Sequence, residues 1–238
     1  MTARRLRLKA EIALGVQLVV RHRAPRFAAL LAGLVVLLVR HGGGLPQQLS
    51  RTLLLVAGTL AVVGASRAFT PGAAIAAARR VAGPVWLAPC GRLAGVLLVV
   101  LGGTAAAATV LYAENVGAGF AGLAVSLCFA AAVAAVTAAL TPVVGASSAA
   151  ALGFLPVWFG SVSPGVVGRF LVVWPHVVRP VVFLWNVLPL PWRALDFLAA
   201  PHLEPVLLLA GWLAVGLVGV GWSVERPSQL GGWAGTAP

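Results

Sequence analysis

The chain has 238 residues, of which 61% are hydrophobic and 9% charged, with 17 basic side chains against 5 acidic ones and a formal net charge of +12. Its mean hydropathy is +1.01 and its pI about 11.9. Soluble domains are roughly half apolar and a quarter charged, so no water-soluble fold could cover this much apolar surface. A pI this high in a soluble protein would point to nucleic acid. Here seven basic residues lie between Arg4 and Arg26 beside an apolar stretch and the rest are scattered among hydrophobic segments, a placement suited to anionic lipid and not to a nucleic-acid groove. All the basic residues but Lys9 are arginine, and Ala, Gly and Val dominate elsewhere, which points to a GC-rich bacterial genome.

Residues 1–26 read as a basic amphipathic helix at the membrane interface: Arg4, Arg5, Arg7 and Lys9 precede a run from Ile12 to Val20 that is too short to span. Arg21, His22, Arg23 and Arg26 stand where a signal peptide would carry small cleavage residues, so that reading is rejected. A first span is expected over 27–39, between Arg26 and Arg40. Thirteen helical residues cover only about 20 Å of a core of about 30 Å, a gap left to snorkelling arginines or local thinning. A Gly-rich loop leads to a second span over 52–66. Residues 72–91 are Ala-rich but hold Arg79 and Arg80, and read as a short helix outside the bilayer before a third span over 93–112. A polar turn at Glu114–Gly117 precedes a fourth span, 119–140, and another at Thr141–Gly145 leads to a fifth, 148–162, the two forming a close antiparallel pair. Residues 163–205 are apolar but broken by seven prolines, Pro164, Pro175, Pro180, Pro189, Pro191, Pro201 and Pro205, and so read as short helices lying in or dipping into the interface. A sixth span, 206–224, and a disordered tail, 227–238, complete the expectation of an all-α integral membrane protein with six transmembrane helices, an N-terminal interfacial helix and a proline-broken exterior segment before the last span.

With six spans both termini share one side. Twelve basic residues fall on that side against Arg40, Arg51, Arg169, Arg179 and Arg193 opposite, which puts the termini in the cytoplasm. The expected location is the inner membrane of a bacterium.

The sequence is poor in chemistry. Glu11, Glu114, Asp196, Glu204 and Glu225 all fall at expected span ends or in loops, not at mid-membrane where an ionisable group reads as functional. His22, His41, His176 and His202 sit in loops or at interfaces, outside the span interiors that haem ligation needs; His176 and His202 could share an exterior site only if their segments pack together. Cys90 and Cys128 build neither a disulfide framework nor a metal site. No phosphate-binding loop is present, so any ATP hydrolysis belongs to a partner. No catalytic, cofactor or metal residue is assigned. Small residues recur at helical spacing at Gly145, Ala149 and Gly153, at Gly91 and Gly95, and at Gly211, Gly216 and Gly219, where close helix contacts are their physical use.

The order of parts resembles the type-2 ABC transporter permeases, the membrane subunits of ATP-driven exporters. In local pattern, Trp86-Leu87-Ala88-Pro89-Cys90-Gly91-Arg92 looks like the end of that family's coupling helix. Asn186-Val187-Leu188-Pro189-Leu190-Pro191-Trp192 is similar to its re-entrant region before the last span. The resemblance implies a homodimer or heterodimer with a second permease, no cofactor, and a cytoplasmic ABC ATPase subunit docked on 72–91 through Arg79, Arg80, Trp86, Leu87, Pro89 and Arg92. Asn186, Pro189, Pro191 and Trp192 would form an exterior gate. The family's coupling loop usually carries acidic residues, whereas Ala73 to Ala88 has none. The alternative is a non-transporting anchor or scaffold subunit of a larger membrane complex.

Overall fold

A computed structural model of the chain describes residues 3–43, 45–70, 87–160, 162–170, 175–188, 190–201 and 203–225. These are 91% helical, with no strand among them. Ten helices follow in order: α1 (Ala3–Arg21), α2 (Arg23–His41), α3 (Pro46–Ala68), α4 (Leu87–Leu111), α5 (Val116–Val144), α6 (Ala146–Phe159), α7 (Pro164–Phe170), α8 (Pro175–Val187), α9 (Pro191–Ala199) and α10 (Leu203–Glu225). Five of them, α2, α3, α4, α5 and α10, are long and apolar enough to cross a membrane. The protein is thus a multi-pass helical membrane protein. The expected coupling segment falls largely outside the described residues, as do Arg79, Arg80, Trp86, Pro189, His202 and the tail beyond Glu225.

Helix ends explain several shifts from the sequence reading. His22 is extended (φ −72°, ψ 143°), so α1 stops at Arg21 and Arg23 to Arg26 form the first turn of α2. The first span therefore has 19 helical residues, about 28 Å, which removes most of the expected shortfall. Arg26 turns back to donate to the Val20 carbonyl at 2.6 Å, while Arg40 pairs with Glu114. Leu87 to Gly91 are the first turns of α4, not the end of a separate helix: Pro89 sits within the first turn, where amide groups have no intrahelical partner to lose. Helix α5 starts on Asn115, whose side chain accepts from the Ala118 amide at 3.1 Å. It runs past Pro142 to Val144 and ends on Gly145 (φ 85°, ψ 159°). That backbone region is open essentially to glycine alone, and it turns the chain straight into α6.

Helix α3 is the centre of the bundle, with 72% of its span buried. Leu53, Leu54, Ala57, Ala61 and Val62 are fully enclosed, as are Val96 of α4, Phe129 and Ala134 of α5 and Val157 of α6. Glycines set the closest approaches and fix the directions. Gly58 lies against Phe129 and Gly122 against Leu53, so α3 and α5 run the same way. Gly216 faces Ala135 and Gly219 faces Ala139, so α10 runs parallel to α5. Helix α4 runs opposite to α3, with Gly64 at Val96 and Gly103 at Leu60; α6 also opposes α3, with Gly153 at Val62 and Gly58 at Val157. The chain therefore leaves α5 at one end of the bundle and enters α10 at the other.

The basic N-terminal helix does not simply lie on a surface. It docks lengthwise on the start of α4: a Cβ at Gly91 would meet that of Glu11 at 2.6 Å, one at Gly15 would meet the Arg92 carbonyl at 2.6 Å, and one at Gly95 would strike the Ile12 carbonyl. Val19 continues the contact to Gly64 of α3. Of the small residues read from the sequence, Gly91, Gly95, Ala149, Gly153, Gly216 and Gly219 are packed against neighbours, Gly145 is a turn, and Gly211 has open space around it.

Candidate functional site

The return from α6 to α10 is the most irregular part of the described chain. Its prolines mostly start helices: Pro164, Pro175 and Pro191 are first residues of α7, α8 and α9, and Pro205 lies in the first turn of α10, all positions where a missing amide costs nothing. Among the described residues between α6 and α10, only Pro180 falls inside a helix. Helix α6 has 14 residues, about 21 Å, shorter than a bilayer core. Helices α8 and α9 meet at a bend of 63°.

A bent pair leaves the last four carbonyls of α8 without helical donors, and in a membrane each would need one from the protein. All four are met. The Leu184 carbonyl accepts from the Leu188 amide at 2.9 Å. That of Trp185 accepts from the Trp192 indole at 3.2 Å, that of Asn186 from Arg193 Nη2 at 3.1 Å, and that of Val187 from the Trp212 indole at 2.6 Å. The Trp192 amide donates to the Gly160 carbonyl at 3.0 Å, and the Trp185 indole to the Val162 carbonyl at 2.9 Å, tying the break to the end of α6.

Arg193 lies at the centre of this knot and is 8% exposed. Its Nη1 pairs with Glu204 at 2.7 Å, its Nη2 also reaches Asn186 Oδ1 at 3.4 Å, and its guanidinium stacks over the Trp192 ring with 4.3 Å to the centroid. Both α10 residues that grip the break, Glu204 and Trp212, come from the last span. Trp212 is one turn before Gly216, which packs on Ala135, so the break lies alongside the middle of the 29-residue α5.

Next to the break is a cavity of about 590 Å³, walled by Val136, Thr137 and Leu140 of α5, Leu152 and Phe159 of α6, Trp185 and Leu188 at the bend, and Trp212.

Of the residues assigned to an exterior gate, Asn186, Pro191 and Trp192 come together here. Arg193 and Glu204, which hold them, were not singled out: the sequence shows their charges but not that they pair. Of the coupling residues, Leu87 and Pro89 open α4 and Arg92 is turned inward, 3% exposed, with its Nε 2.9 Å from Glu11 Oε2. Glu11 is itself 9% exposed, so its reading as a charge at a span end is corrected: it is a buried partner within α1. Among the described residues no three His, Cys, Asp or Glu side chains cluster as metal ligands. His22, His41 and His176 are exposed. Comparison with models of known protein families, with curated proteins and with solved structures finds no match to this chain.

Proposed function

We propose that the chain is the permease subunit of an ABC exporter, working as a dimer and driven by a separate cytoplasmic ATPase. The observation that carries this reading is the bent α8–α9 pair placed immediately before the last span, pinned to α10 and set beside the middle of α5. Discontinuous helices whose freed carbonyls are satisfied inside the protein recur where membrane transporters move cargo. Because α10 runs parallel to α5, we count the return through α6 to α9 as a crossing, the fifth of six, which leaves both termini on one face. The arginine asymmetry makes that face cytoplasmic. In this reading the segment before Leu87 meets the ATPase through Arg79 and Arg80, and a push there reaches the bundle through α4. The gate at Asn186, Pro191 and Trp192 opens when α10 shifts its grip.

The test is co-purification of the tagged chain with an ABC ATPase from its native host. The wild-type chain is expected to retain it, and the double variant Arg79→Ala, Arg80→Ala to lose most of it; equal retention by both, or none by the wild type, defeats the coupling role. A second reading, a membrane anchor or scaffold subunit, draws support from Arg92: the cation nearest the coupling motif holds α1 and presents nothing to a partner. Absence of any nucleotide-binding protein from the purified native complex would favour it.

A further inference from the structure

We propose that the cavity beside the α8–α9 break holds one acyl chain of a bilayer phospholipid. Its volume of about 590 Å³ falls within the ~300–1,000 Å³ of small-molecule sites. Its chemistry is alkyl: the Thr137 hydroxyl is the one polar side-chain group in its described walls besides two indoles, and both indole N–H groups are already committed, Trp185 to the Val162 carbonyl and Trp212 to the Val187 carbonyl. A charged or hydrogen-bonding ligand would shed its water here and find almost nothing in return, whereas an alkyl chain gives up nothing.

The mouth selects the occupant. Leu152, Leu155 and Phe159, on the α6 side, are 49%, 55% and 63% exposed, so the cavity opens sideways onto the surface of the bundle. With Trp212 and the break level with the middle of α5, that opening faces the hydrocarbon interior, where the surrounding medium is itself acyl chain. A phospholipid whose headgroup stays at the interface can send one chain in without moving any charge through the apolar layer. Once inside, the chain packs on the indoles of Trp185 and Trp212, which tie the break to the end of α6 and to α10, and an empty cavity would forfeit those dispersion contacts. The inference requires only that α5, α6 and α10 lie in a bilayer, and it stands whether or not the protein exports anything.

The full chain, reconstituted in nanodiscs containing a phosphatidylcholine with a diazirine midway along one acyl chain, is irradiated and its adducts are mapped by mass spectrometry. Adducts on residues 133–140 and 185–188 are expected several-fold above those on the open face of α2, residues 27–38. Val136→Trp, which fills the cavity, should abolish that excess while leaving α2 labelling unchanged. Leu140→Phe, a smaller change, serves the same purpose if the first variant does not fold. Equal labelling of cavity and α2, or an excess that survives both fillings, overturns the proposal. So does conversion of a dimer to a monomer on filling, which would assign the cavity to a side chain from a second copy.

Discussion

Arg92 and Glu11 are 81 positions apart in the chain, and both are buried. Taking one partner from a buried ion pair strands the other charge, typically at about 3–5 kcal/mol, whereas replacing both with apolar or neutral groups is far milder. Arg92→Met is therefore expected to lower the thermal unfolding midpoint of the detergent-solubilised protein more than the double variant Glu11→Gln, Arg92→Met does. A double variant that melts lower than the single one would show that the pair is not the unit of stability. Gly145 tests a different cause. Any side chain there forces an L-residue into a backbone region held almost only by glycine, so Gly145→Ala should cost about 1–3 kcal/mol, read by the same melt. The sequence marked Gly145 as a turn because Pro142 and Thr141 stand beside it. It could not mark Glu11 as buried, since nothing within one helix turn of it announces a partner so far along the chain.

At the level of elements, the return segment shows how proline misleads when counted as a breaker. Pro164, Pro175 and Pro191 each begin a helix, so the segment holds three short helices, and prolines read as interruptions serve as starts. What stabilises them lies in other elements: α8 ends on donors from α9 and α10. Trp212→Phe keeps most of the apolar bulk and removes the donor to the Val187 carbonyl, which in a hydrocarbon layer has no water to replace it, a loss of about 1–3 kcal/mol. Faster hydrogen exchange confined to residues 184–188 is the expected readout, with α3 unchanged; uniform acceleration across the protein would mean that the bond supports the whole bundle instead. The Gly91 and Gly95 pair was legible as a close-contact motif, but its partner was not, because an amphipathic basic helix reads equally well as lipid-bound. The start of the third span was missed by six residues because Pro89 looked like an end when its place was a first turn.

For the molecule as a whole, membrane residence was written in composition, and five of the six expected spans fall on helices long enough to cross, with ends within about six residues; the expected fifth, 148–162, falls on α6, which is too short to cross alone. The order of packing was not legible in composition, because Ala, Gly and Val present nearly the same surface on every face; only the contacts of particular glycines separate parallel neighbours from antiparallel ones. The two native cysteines offer a direct check on the orientation proposed above. Cys90, exposed in the first turns of α4, should react with an impermeant maleimide in inverted vesicles and not in intact spheroplasts. Cys128, exposed near the middle of α5, should react in neither until detergent is added. Labelling of Cys90 from the outside would reverse the assignment of the termini.

The docking of α1 on α4 also imposes a timetable on biosynthesis. The glycine groove that receives α1, and the arginine that pairs with Glu11, leave the ribosome 81 residues after Glu11 does, which at roughly 5–20 residues per second is a wait of about 4–16 s. For that interval the N-terminal helix has its basic residues but no seat. It must be held by something other than its final neighbour while α2 and α3 are inserted, and the membrane surface, with its anionic headgroups, is the holder nearest to hand.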